Sequence, residues 1–103
     1  MTIQIIETEE LKNVSGGAGV ASAPLIDADR VRALLLNLAA GGAVGPCEMP
    51  TTVLYYVIEG QGCLRVGDEQ AELQTGSLAL APAGAVRAIS AAEPMRVLAV
   101  QVL

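Results

Sequence analysis

The stretch Val53-Leu54-Tyr55-Tyr56-Val57-Ile58-Glu59-Gly60-Gln61-Gly62-Cys63-Leu64-Arg65-Val66-Gly67-Asp68-Glu69 decides the fold. Two runs of β-favouring residues are divided by Gly60-Gln61-Gly62, and the second ends at Gly67-Asp68-Glu69. Gly tolerates positive φ, so each break reads as a tight reversal between strands. Neither run keeps a 3.6-residue apolar period. The local reading is a meander of β-hairpins.

The same grammar extends in both directions. Candidate strands are 19–26, 30–38, 53–58, 63–66, 70–73, 77–81, 86–90 and 96–102, separated by punctuation such as Gly41-Gly42, Gly45-Pro46, Thr75-Gly76, Pro82-Ala83-Gly84 and Glu93-Pro94. Strands this short and evenly spaced suggest a sandwich or barrel. The segment Val31 to Ala40 has good helix propensity by itself, but its setting among strands favours β. Upstream, Thr8 is placed to cap a short helical turn through Glu9, Glu10 and Leu11, which Gly16, Gly17 and Gly19 then stop. The expected organisation is an N-terminal segment, 1–17, followed by one all-β barrel, 18–103.

A chain of 103 residues holds one core, and with 52% apolar residues but only two aromatics that core must be aliphatic. So small and apolar a chain lacks polar surface to cover its outside, and a homodimer is expected. Six Lys plus Arg stand against eleven Asp plus Glu, a net charge of −5, and the six bases are scattered. Nucleic acid, which needs clustered positive charge, is not an expected partner. The longest weakly polar stretch, Val31 to Val44, is broken by Arg32 and Asn37 and is shorter than the roughly 18 to 20 apolar residues of a membrane span. The N-terminus has neither the basic start nor the apolar run of a signal peptide, so a cytoplasmic location is expected. Cys47 and Cys63 then stay reduced and read as two small buried hydrophobes. Histidine is absent, which removes the commonest proton-transfer and transition-metal group.

Gly41, Cys47, Met49, Val53 and Gly60 stand at the spacing of the first signature motif of the cupin superfamily, and Gly76, Pro82, Gly84, Arg87 and Ala91 at that of the second. The chain resembles a small single-domain cupin over about its last two thirds. The resemblance implies a double-stranded β-helix, a jelly-roll-like barrel whose interior carries the site. It also implies a metal held by three His and one Glu. Those four positions are Cys47, Met49, Val53 and Arg87 here, so the framework residues match and the ligands do not.

Odd numbering places Cys47, Met49, Val53, Tyr55 and Val57 on one face if the strands on either side of Pro50-Thr51-Thr52 are unbulged. The candidate ligand-binding residues are therefore Cys47, Met49, Val53, Tyr55 and Arg87. Tyr56 faces the other way, toward packing or a dimer contact. A permanent cation at the fourth ligand position opposes a metal at the other three, so no cofactor is expected. Thiolate and thioether from Cys47 and Met49 offer an alternative soft site for Cu(I), although both are also adaptable apolar fillers. Arg87 is either a surface charge or, pointing inward, a group that must find an anion, Glu48 or a backbone carbonyl. Cys47 has no base to activate it, and no catalytic set is evident. The leading expectation is a metal-free binding module for a small anion. The alternatives are a cupin enzyme of isomerase, lyase or dioxygenase type, and a structural or regulatory subunit that uses its outer sheet.

Overall fold

The computed structural model describes residues 3–11 and 20–103. A single 3₁₀ turn, η1 (Thr8–Leu11), precedes nine strands among the described residues: β1 (Val20–Asp27), β2 (Val31–Leu38), β3 (Ala43–Glu48), β4 (Thr52–Glu59), β5 (Gln61–Val66), β6 (Glu69–Gln74), β7 (Leu78–Ala81), β8 (Val86–Ala91) and β9 (Met95–Val102). The turn expected at Thr8 is present, whereas Gly16, Gly17, Gly19 and the 17/18 boundary lie outside the described residues. No helix among the described residues is long and apolar enough to cross a membrane.

The strands form two antiparallel sheets in the order β1-β2-β9-β4-β7 and β3-β8-β5-β6. This all-β sandwich of jelly-roll type agrees with the expected fold class, but the connections are not those of a meander. Only β1–β2 and β5–β6 are paired neighbours in sequence; the other connections pass from one sheet to the other. Gly60 is thus a corner between sheets rather than a hairpin tip. Residues 67 and 68 do close a hairpin, with Val66 opposite Glu69. Strand β2 forms despite the helix propensity of its leucines, because it lies between β1 and β9 and pairs with both.

Alternation sets what each strand buries. Along β4, Val53, Tyr55 and Val57 are buried while Leu54 and Ile58 are half-buried and Tyr56 is exposed. From the facing sheet Leu64, Leu73 and Ile89 join Val57 and Val97 in one hydrophobic cluster. Each such aliphatic side chain contributes about 1.5–3 kcal/mol of transfer free energy when fully buried.

Strand β3 is the element missing from the sequence reading, where Gly45-Pro46 stands as a turn. It lies at the edge of the four-stranded sheet, where a missing N–H costs no ladder bond. A register shift between Val44 and Cys47 absorbs one extra residue, so Val44 opposes Ile89 and Cys47 opposes Arg87. The bulge changes the alternation. Val44 and Cys47, three apart, both border the cavity between the sheets, Val44 half-buried and Cys47 exposed.

Candidate functional site

Two turns build one end of the sandwich: Met49–Thr52, between β3 and β4, and Pro82–Ala85, between β7 and β8. The Gly84 N–H donates to the Met49 carbonyl at 2.8 Å, and the Ala83 N–H to Thr52 Oγ1 at 3.3 Å. Arg87 enters from β8 and points inward, in phase with buried Ile89 and Ala91. It is 2% exposed.

Its guanidinium is bonded to backbone. Nε donates to the Ala85 carbonyl at 3.2 Å, and Nη2 to Pro82 at 2.7 Å and Ala85 at 3.1 Å. Nη1 donates to Thr51 and Ala81, each at 3.4 Å. A guanidinium has five N–H donors, and five bonds to four carbonyls occupy them. Of the partners open to an inward Arg87, the backbone is the one found; exposed Glu48 is paired across the strands with Val86 instead. Among the described residues Arg87 has no ion pair, so its hydrogen bonds are satisfied while its charge has no carboxylate beside it.

Beneath the two turns lies a cavity of about 80 Å³. Cys47, Met49, Val53, Tyr55 and Arg87 all line it, so the fold brings the five sequence-selected residues together. Leu36, Val44, Ile89 and Ala99 complete much of its apolar wall, and Gln101 adds an amide. The sequence reading missed Gln101, although its signal is visible: it interrupts the inward run Val97, Ala99, Gln101 on β9 with a polar group. Burial holds the Tyr55 hydroxyl above its ordinary range, with the Arg87 guanidinium beside it offsetting part of the rise. Tyr55 is therefore a neutral hydrogen-bond donor at physiological pH. Cys47 is exposed, on the uncovered edge strand, and Cys63 is partly so. This corrects the reading of both as buried hydrophobes; β3 is paired on one side alone, with β8, among the described strands.

Residues 34–101 match the model of the cupin domain. The chain belongs to the cupin family. Among solved cupin-like structures, a Thermus thermophilus protein is 28% identical over 97% of both chains, with a TM-score of 0.87. A cupin superfamily protein of Desulfitobacterium hafniense is 25% identical over 82% of this chain and 77% of its own, with a TM-score of 0.77. A salicylate 1,2-dioxygenase variant of Pseudoaminobacter salicylatoxidans, 18% identical over 91% of this chain and 30% of its own with a TM-score of 0.77, shares the fold alone. No curated protein sequence matches the chain.

The donor set does not fit the metal that many cupins hold. Val53 supplies no ligand atom, Arg87 brings a cation directly across the ladder from Cys47, and a thiol with a thioether beside a fixed positive charge is a poor cage. No cluster of three His, Cys, Asp or Glu is found among the described residues. Elemental analysis of protein purified under reducing conditions is expected to give no stoichiometric transition metal. Stoichiometric copper that disappears in Cys47→Ser would contradict this.

Proposed function

We propose that this cupin is a metal-free binding module that receives a small, partly apolar anion in its barrel, and that it is not an enzyme. The observation that supports this reading is the Arg87 charge. A guanidinium 2% exposed, without a carboxylate partner among the described residues, sits at the wall of an otherwise mostly apolar cavity. Buried charge that lacks a counter-charge is costly, and an anion in the adjoining space offsets that cost.

Geometry narrows how the anion is held. With its N–H groups turned to carbonyls, Arg87 offers field rather than a bidentate fork, and the Tyr55 hydroxyl is the donor that reaches the ligand. The cavity of about 80 Å³ is well below the roughly 300–1,000 Å³ of an ordinary small-molecule pocket. The ligand class is accordingly a one- to three-carbon carboxylate or an anion of similar size, with its carbon end against Leu36, Val53 and Ala99.

Thermal unfolding followed by circular dichroism tests this with formate, acetate, propionate, bicarbonate and phosphate, each against chloride at equal ionic strength. A true ligand at ten times its dissociation constant is expected to raise Tm by roughly 6–11 °C, while hexanoate, too long for the cavity, does not. Tyr55→Phe should weaken binding roughly tenfold by removing one hydrogen bond to a charged group. Equal responses to every salt, or an undiminished response in Tyr55→Phe, would refute the proposal.

A further inference from the structure

Gln101 brings an uncharged polar group into the barrel beside the Tyr55 hydroxyl and the Arg87 charge. On β9 it continues the inward run of Met95, Val97 and Ala99. Register fixes where its amide stands. Gln101 opposes Val53 on β4, and Ala99, one inward step away, opposes Tyr55. Tyr55 and Gln101 are thus diagonal neighbours on adjacent strands, with Cβ atoms at most roughly 7–8 Å apart, and buried Val53 and Ala99 complete the square between them. One small molecule bonds both side chains only if it carries a polar group at each end.

A primary amide has two N–H donors and a carbonyl acceptor. That of Gln101 makes no hydrogen bond with another described residue, although the cavity wall around it is apolar, with Leu36, Val53 and Ala99 all buried. An amide turned to such a wall without a partner forfeits free energy that a bonded one keeps. Its neighbour across the ladder is engaged elsewhere: Arg32, opposite Gln101 on β2, holds its Nε 3.1 Å from Asp27 Oδ1. Water or a ligand in the cavity is left to bond the amide.

We infer that Gln101 makes the cavity selective for a short 2-hydroxycarboxylate of the size of glycolate or lactate, which rests on the anion-binding role proposed above. The Tyr55 hydroxyl donates to the carboxylate, which lies in the field of Arg87, and the Gln101 amide bonds the hydroxyl on the next carbon. A hydroxyl suits an amide in either orientation, since it donates to Oε1 or accepts from Nε2. A second carboxylate does not: it only accepts, and it brings another charge to an uncharged side chain among apolar neighbours. Acetate fills the same space but leaves the amide unbonded. Discrimination between acetate and glycolate therefore resides in one hydrogen bond, which gives roughly three- to tenfold in affinity.

Titrations followed by amide NMR test this with acetate, glycolate, methoxyacetate, propionate and lactate at equal ionic strength. Glycolate is expected to bind roughly three- to tenfold more tightly than acetate, and lactate than propionate by a similar factor. Methoxyacetate, whose capped oxygen cannot donate and whose methyl needs further room, should gain nothing over acetate. In Gln101→Met, which keeps the side-chain length and removes the amide, the glycolate-to-acetate ratio should fall to about one. Tyr55→Phe should weaken both acids and keep the ratio. The unmodified protein supplies a readout independent of variant affinity: the side-chain amide signals of Gln101, identified by their absence from Gln101→Met, should shift strongly with glycolate and little with acetate. Acetate that binds as tightly as glycolate, a preference that survives Gln101→Met, or Gln101 signals indifferent to the hydroxyl would overturn the selectivity and leave the anion-binding role standing. No response to any of these acids would overturn both.

Discussion

Arg87→Met is expected to lower the unfolding free energy by about 3 kcal/mol or more. Methionine fills most of the space of the arginine stem, so the loss is one of hydrogen bonds rather than of volume. The carbonyls of Thr51, Ala81, Pro82 and Ala85 lose their donor together. Each buried acceptor left without a donor costs about 1–3 kcal/mol, with the solvent-facing ones at the low end because water replaces the guanidinium. Working against this is relief of a buried charge, which by itself makes an apolar replacement neutral or stabilising. The sign of the change therefore decides between two roles. If Arg87 clamps the Met49–Thr52 and Pro82–Ala85 turns, urea denaturation shows destabilisation. If its main energetic effect in the empty protein is an unpaired charge held ready for a ligand, Arg87→Met is more stable than the parent. Five bonds outweigh the charge, and destabilisation is expected. Arg87→Lys should recover only part of the loss, because an ammonium has three donors and no planar fork to span two turns. Binding in the barrel is for this reason tested at Tyr55, whose hydroxyl can be removed without releasing the turns.

The clamp also illustrates where the sequence is readable and where it stops. That Arg87 stands in the strand after Pro82 and Gly84 is legible in the sequence, but whether it is a surface charge or faces inward is left open there, and the structure places it in phase with buried Ile89 and Ala91. Its partners do not follow, because they are backbone carbonyls contributed by turns far apart in the chain, and a carbonyl leaves no trace in residue identity. The lining of the cavity is legible for Cys47, Met49, Val53 and Tyr55 from period-two spacing, yet Val44 joins them only through the bulge between Val44 and Cys47. Likewise the strands themselves are visible in local composition, with β3 hidden by Gly45-Pro46, while sheet order is not. Residues of β4 pair with β9 and β7 rather than with β5, and such choices depend on which apolar faces can be buried together. Two apolar faces on β4 and β9 are written plainly in Val53 to Ile58 and Val97 to Val102, and it is the cupin resemblance rather than the alternation itself that assigns the face of Val53 and Tyr55 to the interior.

Gly60→Ala is expected to be the most damaging of the motif glycine changes, and a comparison with Gly84→Ala separates the two reasons a glycine is required. Both residues have positive φ, +104° at Gly60 and +82° at Gly84. For a residue with a side chain that conformation costs about 1–2 kcal/mol. At Gly84 nothing lies within 4 Å of where a Cβ would stand, so the conformational term is the whole cost. At Gly60 the same atom would stand 2.7 Å from Met95 Cα, and closer still to the Pro94 carbonyl oxygen. Both obstacles are backbone at the entry to β9, and neither yields by a rotamer change. The corner between β4 and β5 must then open against β9, which pairs with β4 and carries Met95 and Val97 into the core. Overpacking of this kind adds about 1–3 kcal/mol or more, which brings Gly60→Ala to about 3–4 kcal/mol in all. Thermal unfolding should show the difference directly, since each kcal/mol moves Tm by roughly 4–8 °C in a domain of this size. Equal losses for the two variants would mean that the close approach at Gly60 is relieved by a small shift, and that positive φ alone explains both glycines.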